Sequence, residues 1–143
     1  MTIRQTKKPE DVDRKHLLAE AVSAAGNAYA PYSKFRVGAA VLGASGLIFK
    51  GANVENASYG LGTCAERVAL ATASAAGERN IVAIAIACID AEKDSPLAMR
   101  APCGACRQWI QELAPSAEIL IFGEKRAFVI EDFLPLAFTL KSQ

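Results

Sequence analysis

The sequence lacks the features that would point to a membrane or to a polyanionic partner. No apolar run approaches the roughly 18 residues of a membrane helix, and the start, MTIRQTKKPEDVDRK, has no apolar leader core. The 16 basic and 15 acidic residues leave a formal net charge of +1, which gives no reason to expect a nucleic-acid partner. We therefore expect a soluble, cytosolic protein.

Repeats and low-complexity linkers are missing as well. A chain of 143 residues that is 52% hydrophobic can bury one core of its own. The sequence therefore predicts a single domain over residues 1–143.

Signs of disulfide use are scarce, yet the few cysteines are clustered. Of the four, Cys88 lies in the run IVAIAIACID at 81–90, where we expect a small buried hydrophobic residue on a core strand. The others are Cys64 in TCAER and Cys103 and Cys106 in PCGACRQ. Three thiols cannot all pair with one another, and a reducing cytosol disfavours disulfides. Metal binding or redox chemistry remains.

Hydrophobic periodicity predicts an α/β fold with a mixed sheet. The predicted helices cover 9–29, 64–76 and 102–113, and the predicted strands cover 35–42, 47–51, 81–89, 118–122 and 127–130. The turn GASG makes the first two strands an antiparallel hairpin, and the short link GEKR permits only a hairpin between the last two. No element is predicted for the first eight residues or for 91–101.

Both cysteine clusters fall at predicted helix N-termini, where the helix dipole stabilises thiolates. Cys103 and Cys106, at i and i+3, share one face of a first turn and can hold one ion. Cys64 would add a third ligand from another helix. Three protein ligands leave one tetrahedral position open, as in catalytic zinc sites. A CxxC pair alone could equally be a redox pair.

Glu66 follows Cys64 by two residues, a spacing at which it is poorly placed to share the metal. A carboxylate beside a metal site can move protons, so Glu66 is the candidate acid and base. Thr63 with Glu66 also fits a capping box, a purely structural device. One residue could serve both purposes.

Several motifs together resemble the small, homotetrameric type of cytidine deaminase. They are PYSKFRVGAA, NVENASYG, TCAER, PCGACRQ and the tail FLPLAF. The resemblance implies a three-layer α/β/α sandwich around a five-stranded mixed sheet. It also implies hydrolytic deamination of cytidine or 2′-deoxycytidine to uridine or 2′-deoxyuridine, with release of ammonia and a role in pyrimidine salvage.

The resemblance assigns the zinc centre residue by residue, with one Zn²⁺ per subunit. The ligands would be Cys64, Cys103 and Cys106. Glu66 would take a proton from water, deliver it to ring N3 and later protonate the leaving amine. Backbone N–H groups at the same helix start, that of Ala65 included, would donate to the pyrimidine O2.

Two further side chains matter for charge, because zinc with three thiolates carries a net negative charge. The resemblance implies that Arg67 and Gln108 hydrogen-bond the bound thiolates. Without the family match, Arg67 would be taken for a solvated helix charge. Arg107 is expected to be a surface or interface charge.

The resemblance also implies a nucleoside pocket. Asn53 and Glu55 alternate in NVEN, so an extended backbone places both side chains on one side. In the family the matching pair binds the ribose 3′-hydroxyl, and the residue matching Phe35 packs near the base. Without the resemblance, Asn53 would be a turn residue, Glu55 an exposed charge and Phe35 a core aromatic.

The resemblance further implies a homotetramer whose subunits share their sites, and three residues carry this expectation. Ala57 and Tyr59 match residues that reach a neighbouring subunit's site, and Phe138 matches an aromatic residue that covers the base in another subunit. The tail EDFLPLAFTL is more apolar than a solvated terminus should be. It could instead fold back on its own core.

Two other functions stay open at this point. One is a related small-molecule zinc deaminase for a modified cytosine nucleoside or a compound like blasticidin S, although NVENASYG argues against the blasticidin type. The other is a structural zinc or redox protein without catalysis, which leaves Glu66 unexplained. The sequence does not set the preference between cytidine and deoxycytidine or the tolerance of N4-substituted bases.

Overall fold

The computed structural model describes residues 8–140 and consists of one sheet with helices on both faces. The helices are α1 (Arg14–Ala25), α2 (Ala65–Ala75) and α3 (Gly104–Leu113), and the strands are β1 (Val37–Gly43), β2 (Ile48–Ala52), β3 (Ile81–Cys88) and β4 (Glu118–Ile121). Most of the first eight residues, for which the sequence predicts no element, lie outside the described part. Within that part, no helix has the length and apolar character needed to span a membrane.

The sheet is mixed, as the sequence predicts. Its strand order is β2-β1-β3-β4. The β1 strand pairs antiparallel with β2 and with β3, whereas β3 and β4 are parallel. The parallel pair needs a crossover, and α3 supplies it.

Alternating side chains of the strands build two cores, one on each face of the sheet. On one face Val41, Ile84 and Ile119 pack with buried residues of α2 and α3. On the other face mostly small residues, such as Ala83 and Ala85, pack with α1. This gives the α/β/α sandwich that the resemblance implies, with α2 and α3 side by side on one face.

The predicted fifth strand is reduced to a single bridge. Phe128 exchanges two backbone hydrogen bonds of 2.8 Å with Ile119 on β4, so the hairpin is antiparallel as expected. The chain then leaves the sheet, because the carbonyl of Ile130, the next residue that could bond to β4, instead accepts the N–H groups of Phe133 at 2.9 Å and Leu134 at 2.8 Å in a 3-10 turn. The sheet within the described residues therefore has four strands rather than five.

Two other sequence predictions need correction. The first helix begins at Arg14 and not at 9, because the Asp13 side chain accepts the N–H of His16 and caps the helix there. Cys88 ends β3 and is half-buried rather than fully buried. Burial still raises its pKa to about 11, so it is an inert thiol at neutral pH.

The segment 91–101 is tied to the end of the sheet by Arg100. This largely buried guanidinium donates to the carbonyls of Ser95 and Phe122, each at 3.2 Å, and pairs with Glu124 at 2.5 Å. A loop without strands of its own is thereby fixed against the chain that follows β4.

Gly51 sets the position of α2 on the sheet. A Cβ atom at this residue would lie 2.4 Å from the backbone nitrogen of Ala69 and 2.6 Å from the carbonyl oxygen of Ala65. Helix and strand therefore touch backbone to backbone at this point. The contact fixes the start of α2, which carries Cys64 and Glu66.

Candidate active site

The starts of α2 and α3 meet and bring three thiols together. Cys64 is the N-cap of α2 and Cys103 the N-cap of α3, while Cys106 lies one turn further on. The Cys64 and Cys103 Sγ atoms are 3.8 Å apart, and those of Cys103 and Cys106 are 3.6 Å apart. All three sulfur atoms lie within 4.8 Å of one another, so the predicted cluster forms.

The spacing of these sulfur atoms fits a zinc ion. Ligands in a tetrahedron around zinc at the usual Zn–S distance of about 2.3 Å lie about 3.8 Å from one another. The Sγ–Sγ distances of Cys103 to Cys64, 3.8 Å, and to Cys106, 3.6 Å, are close to this value. The three cysteines are free thiols, and Cys103 is exposed, which leaves a side open for a fourth ligand.

Arg67 favours thiolate at the cluster. Its Nη2 atom donates to the Cys64 sulfur at 3.8 Å. The pKa of Cys64 is lowered to about 5, mainly because the Cys106 thiol hydrogen-bonds to it; burial opposes this shift and the Arg67 guanidinium adds to it. Among the described residues the buried Nε of Arg67 has no hydrogen-bond partner. Arg67 is therefore aimed at the sulfur cluster and not at solvent.

Glu66 is buried beside the thiols, with 5% of its surface exposed. Desolvation is the main reason why its pKa is raised to about 7. The capping-box interpretation is wrong, because the N-cap of α2 is Cys64 rather than Thr63, and no side chain caps the helix start. The carboxyl group is thus left available for proton transfer.

Asn53 and Glu55 both face the chain that leads into β1. The Asn53 amide accepts the Val37 N–H at 2.8 Å and donates to the Phe35 carbonyl at 2.9 Å. Glu55 accepts the N–H groups of Tyr32 and Ser33, each at 3.1 Å. The same-side placement predicted for the pair is found.

A cavity of about 350 Å³ lies beside Glu55, and its lining also includes Ser33 and Tyr59. The rings of Tyr32 and Tyr59 meet edge to face at 6.0 Å between centroids. Ala57 is exposed and is not among the residues that line this cavity. Phe35 is half-buried and lines a different cavity with the segment 90–99. One chain therefore does not place Phe35 and Glu55 in one pocket.

The remaining predicted residues lie on the outer side of α3. Gln108 donates to the Phe138 carbonyl at 2.9 Å and not to a thiol. Phe138 is 68% exposed and rests beside Trp109 in a groove of about 720 Å³. The alternative that the tail folds back on its own core holds for Phe133 and Leu134, which pack against that core, whereas Phe138 stays on the surface beside α3. Ala65, by contrast, is buried at the first position of α2.

The sequence predicts only a surface or interface charge at Arg107 and no role for Ser33, yet both hold neighbouring groups in place. Arg107 is not a free surface charge, because it donates to the carbonyls of Pro102 at 2.7 Å and Phe133 at 2.8 Å. The Ser33 hydroxyl donates to Glu55. A hydroxyl two residues before Phe35 is a local turn signal that could have indicated the second of these.

Comparison with known proteins agrees with this geometry. The family model described as the zinc-binding region of cytidine and deoxycytidylate deaminases matches residues 11–122. The cytidine deaminase of Halalkalibacterium halodurans is 45% identical over 133 residues, which is 90% of this chain and 96% of that protein. A cytidine deaminase of Mycobacterium tuberculosis is 44% identical over 130 residues, covering 91% of this chain and 92% of the other.

Solved structures of similar proteins share the fold. The 1.6 Å crystal structure of cytidine deaminase from Burkholderia pseudomallei has a TM-score of 0.78 and 46% identity, covering 89% of this chain and all of that one. Cytidine deaminase from Mycobacterium leprae gives a TM-score of 0.74 at 39% identity, covering 87% of this chain and 99% of the other. The zinc-binding region includes all three clustered cysteines and Glu66. The chain therefore belongs to the family of cytidine and deoxycytidylate deaminases.

Proposed function

We propose that this protein is a zinc-dependent cytidine deaminase that converts cytidine and 2′-deoxycytidine, with water, to uridine and 2′-deoxyuridine and ammonia. The observation that carries the proposal is the buried Glu66 carboxyl group beside three thiols at zinc-ligand spacing. Similarity to cytidine deaminases over nine-tenths of the chain supports the substrate class. We place the protein in the cytoplasm, where nucleoside salvage takes place.

The chain's own residues supply binding, orientation and proton transfer. Cys64, Cys103 and Cys106 would hold the zinc ion, which, when bound, makes water nucleophilic near neutral pH. Glu66 takes a proton from the attacking water and gives it to ring N3; it then takes the remaining proton of the oxygen now bonded to C4 and gives it to the amine, which leaves as ammonia. Its pKa of about 7 suits a group that must both accept and release a proton. The N–H of Ala65 at the start of α2 is a donor for the pyrimidine O2.

Arg67 balances charge at the metal centre. Three thiolates carry more negative charge than one zinc ion neutralises, which would weaken the attraction of the ion for water. The Arg67 guanidinium already lies 3.8 Å from the Cys64 sulfur and supplies the compensating charge. Gln108 stays with the tail, where it bonds to Phe138.

Glu55 and Asn53 form the sugar site of this proposal. The pKa of Glu55 is lowered, first by the Ser33 hydroxyl and then by the Ser33 N–H, so Glu55 is an ionised acceptor at neutral pH. Its Oε1 accepts two backbone N–H groups, whereas from residues 8–140 Oε2 accepts only the Ser33 hydroxyl and keeps room for a donor. A ribose hydroxyl is such a donor. One N–H of the Asn53 amide stays available beside it.

We also propose a homotetramer in which subunits share sites. Two apolar side chains of the tail are exposed, Phe138 to 68% and Leu140 to 81%. The chain also has an apolar groove between α2 and α3. Phe138 would cover the base in a neighbouring subunit, and Ala57 and Tyr59, both exposed, would line that site. Phe35 would pack near the base on the other side.

The test is a substrate panel with zinc counted in the same preparation. Ultraviolet absorbance reports turnover of cytidine, 2′-deoxycytidine, deoxycytidylate, free cytosine and blasticidin S. We expect one zinc per chain, comparable turnover of the two nucleosides, and poor turnover of cytosine because sugar binding contributes to positioning. Efficient turnover of cytosine, or preference for blasticidin S or deoxycytidylate, would overturn the nucleoside assignment.

A further inference from the structure

The chain from Tyr32 to Phe35 wraps around Glu55, and one hydroxyl lies at the centre of this contact. The Ser33 Oγ atom donates to Glu55 Oε2 at 2.5 Å. The same oxygen accepts the backbone N–H of Phe35 at 3.0 Å. Ser33 therefore joins the two residues that the proposed function places at the sugar and near the base.

The backbone around Ser33 is shaped for this contact. Lys34 has a left-handed φ of 59°, which is uncommon for a residue other than glycine. Its N–H bonds to the Ala30 carbonyl at 3.1 Å. The turn brings the N–H groups of Tyr32 and Ser33 onto Glu55 Oε1 and leaves Oε2 to the hydroxyl alone. A strained residue in such a place indicates a constraint that the surrounding structure maintains.

We propose that Ser33 is a positioning residue of the nucleoside site, and that its hydroxyl orients Glu55 Oε2 toward the sugar hydroxyl that Glu55 binds. This inference rests on the proposed function, because it takes Glu55 as the sugar ligand. The sequence offers only a local turn signal at Ser33, and its contact with Glu55 is visible only in the structure.

Removal of the hydroxyl would act on substrate through Glu55. The two backbone N–H groups would still hold Oε1, so the carboxylate stays in place and stays ionised. Oε2 would lose its only protein donor and could turn or bind water. The sugar hydroxyl would then meet a less ordered acceptor, and hydrogen bonds to charged groups depend strongly on such geometry.

The experiment compares cytidine with 3′-deoxycytidine in three proteins: the native chain, Ser33→Ala and Ser33→Thr. In Ser33→Ala we expect KM for cytidine to rise about tenfold with kcat nearly unchanged. KM for 3′-deoxycytidine should change less than about twofold, because the contact that Ser33 supports is absent there. Ser33→Thr keeps a hydroxyl and should restore discrimination between the two substrates.

The zinc content and the thermal midpoint of each variant serve as folding controls. If Ser33→Ala folds poorly, Ser33→Cys replaces it, and its weak S–H donor should give an intermediate rise in KM for cytidine. Equal losses on both substrates would mean a purely structural role and would overturn the inference, as would no loss on either. A native protein that treats both substrates alike would instead contradict the Glu55 sugar contact of the proposed function, and the inference would fall with it.

Discussion

At the scale of single residues, Glu66 stands out because burial of a carboxyl group is costly. Among the charged side chains that the structure describes, it alone is buried, and it forms no ion pair with any residue of 8–140. Burial of a carboxylate lowers the stability of the fold unless the group is protonated or paired with a positive charge, so an unpaired one indicates a functional role. Its position beside three thiols supports the proposed role in proton transfer.

We expect Glu66→Gln to lower kcat on cytidine by at least about a hundredfold, because glutamine has nearly the same shape but cannot exchange a proton. Zinc stays at one per chain, since Glu66 is not a ligand. Steady-state kinetics and elemental analysis of the same sample measure the two quantities. Near-native kcat would remove Glu66 from the mechanism, and loss of zinc would make it a ligand.

The four cysteines offer a matched pair for the metal assignment. Cys106→Ala removes one of three ligands and should lose zinc and lower the thermal midpoint, because metal binding is coupled to folding. Cys88→Ala removes a half-buried thiol that lies outside the cluster and should keep full zinc occupancy. Elemental analysis compares the two variants. Full zinc content in Cys106→Ala would contradict the ligand set.

The metal cluster could be predicted from sequence because its residues are fixed by local spacing. Cys103 and Cys106 share a helical turn, and Cys64 precedes Glu66 on another. Gln108 could not be placed in the same way. Its partner, the Phe138 carbonyl, lies 30 residues along the chain, and a helical side chain does not reveal which distant carbonyl it reaches.

At the scale of elements, the central strands could be predicted as short apolar runs, whereas the end of the sheet could not be predicted. Residues 127–130 have strand-like composition, but the Ile130 carbonyl accepts the N–H groups of Phe133 and Leu134, and the chain turns away after one bridge. The position of α2 on the sheet could not be predicted from the sequence either. It depends on Gly51, whose importance is visible only once helix and strand are in contact.

Gly51→Ala should lower the free energy of unfolding by about 1–3 kcal/mol, because the added methyl group meets rigid backbone and overpacks the contact. The shift of α2 should also weaken zinc binding through Cys64. Gly60→Ala is the matched control, since a Cβ there meets nothing within 4 Å. Urea unfolding and zinc competition measure both effects. Equal stability of the two variants would show that α2 is not held by this contact.

The start of β1 is held to the end of β3 by Asp90. Its carboxylate accepts the Arg36 backbone N–H at 2.8 Å and two guanidinium N–H groups at 2.9 and 2.8 Å. The Arg36 side chain is the main reason why the pKa of Asp90 is lowered to about 2. Because the pKa of Asp90 is lower in the folded chain, its ionised carboxylate stabilises the fold at pH values above the ordinary aspartate pKa. That stabilisation is lost as the pH falls toward 2.

Asp90→Asn should therefore be less stable than the native chain at pH 6, and the difference should shrink below about pH 4, where the native carboxylate begins to lose its advantage. Urea unfolding of both proteins at pH 6, 4 and 3 measures it. Zinc release in acid affects both proteins and cancels in the difference. A difference that grows on acidification would contradict the role assigned to the Arg36 pair.

At the scale of the whole molecule, α3 links the metal site to the C-terminal tail. Its first turn carries Cys103 and Cys106, and the next residues anchor the tail. Arg107 bonds to the Phe133 carbonyl at 2.8 Å and its guanidinium lies 5.3 Å from the Phe133 ring centroid. The tail therefore leaves α3 in a defined direction, and subunits that pack on this face would receive Phe138 in a fixed place.

Phe138→Ala tests whether that ring covers a neighbouring site. We expect KM for cytidine to rise about tenfold or more, since base stacking on an aromatic side chain is worth about 1–3 kcal/mol, while zinc content stays at one per chain. Sedimentation should still give a tetramer, because one ring is a small part of an apolar interface. Phe122→Ala, which removes another exposed aromatic side chain at the end of β4, is the control and should leave KM unchanged. An active, zinc-loaded native monomer would rule out shared sites altogether, whereas a tetramer whose KM is unchanged in Phe138→Ala would rule out only the role of Phe138 as the cover of the base.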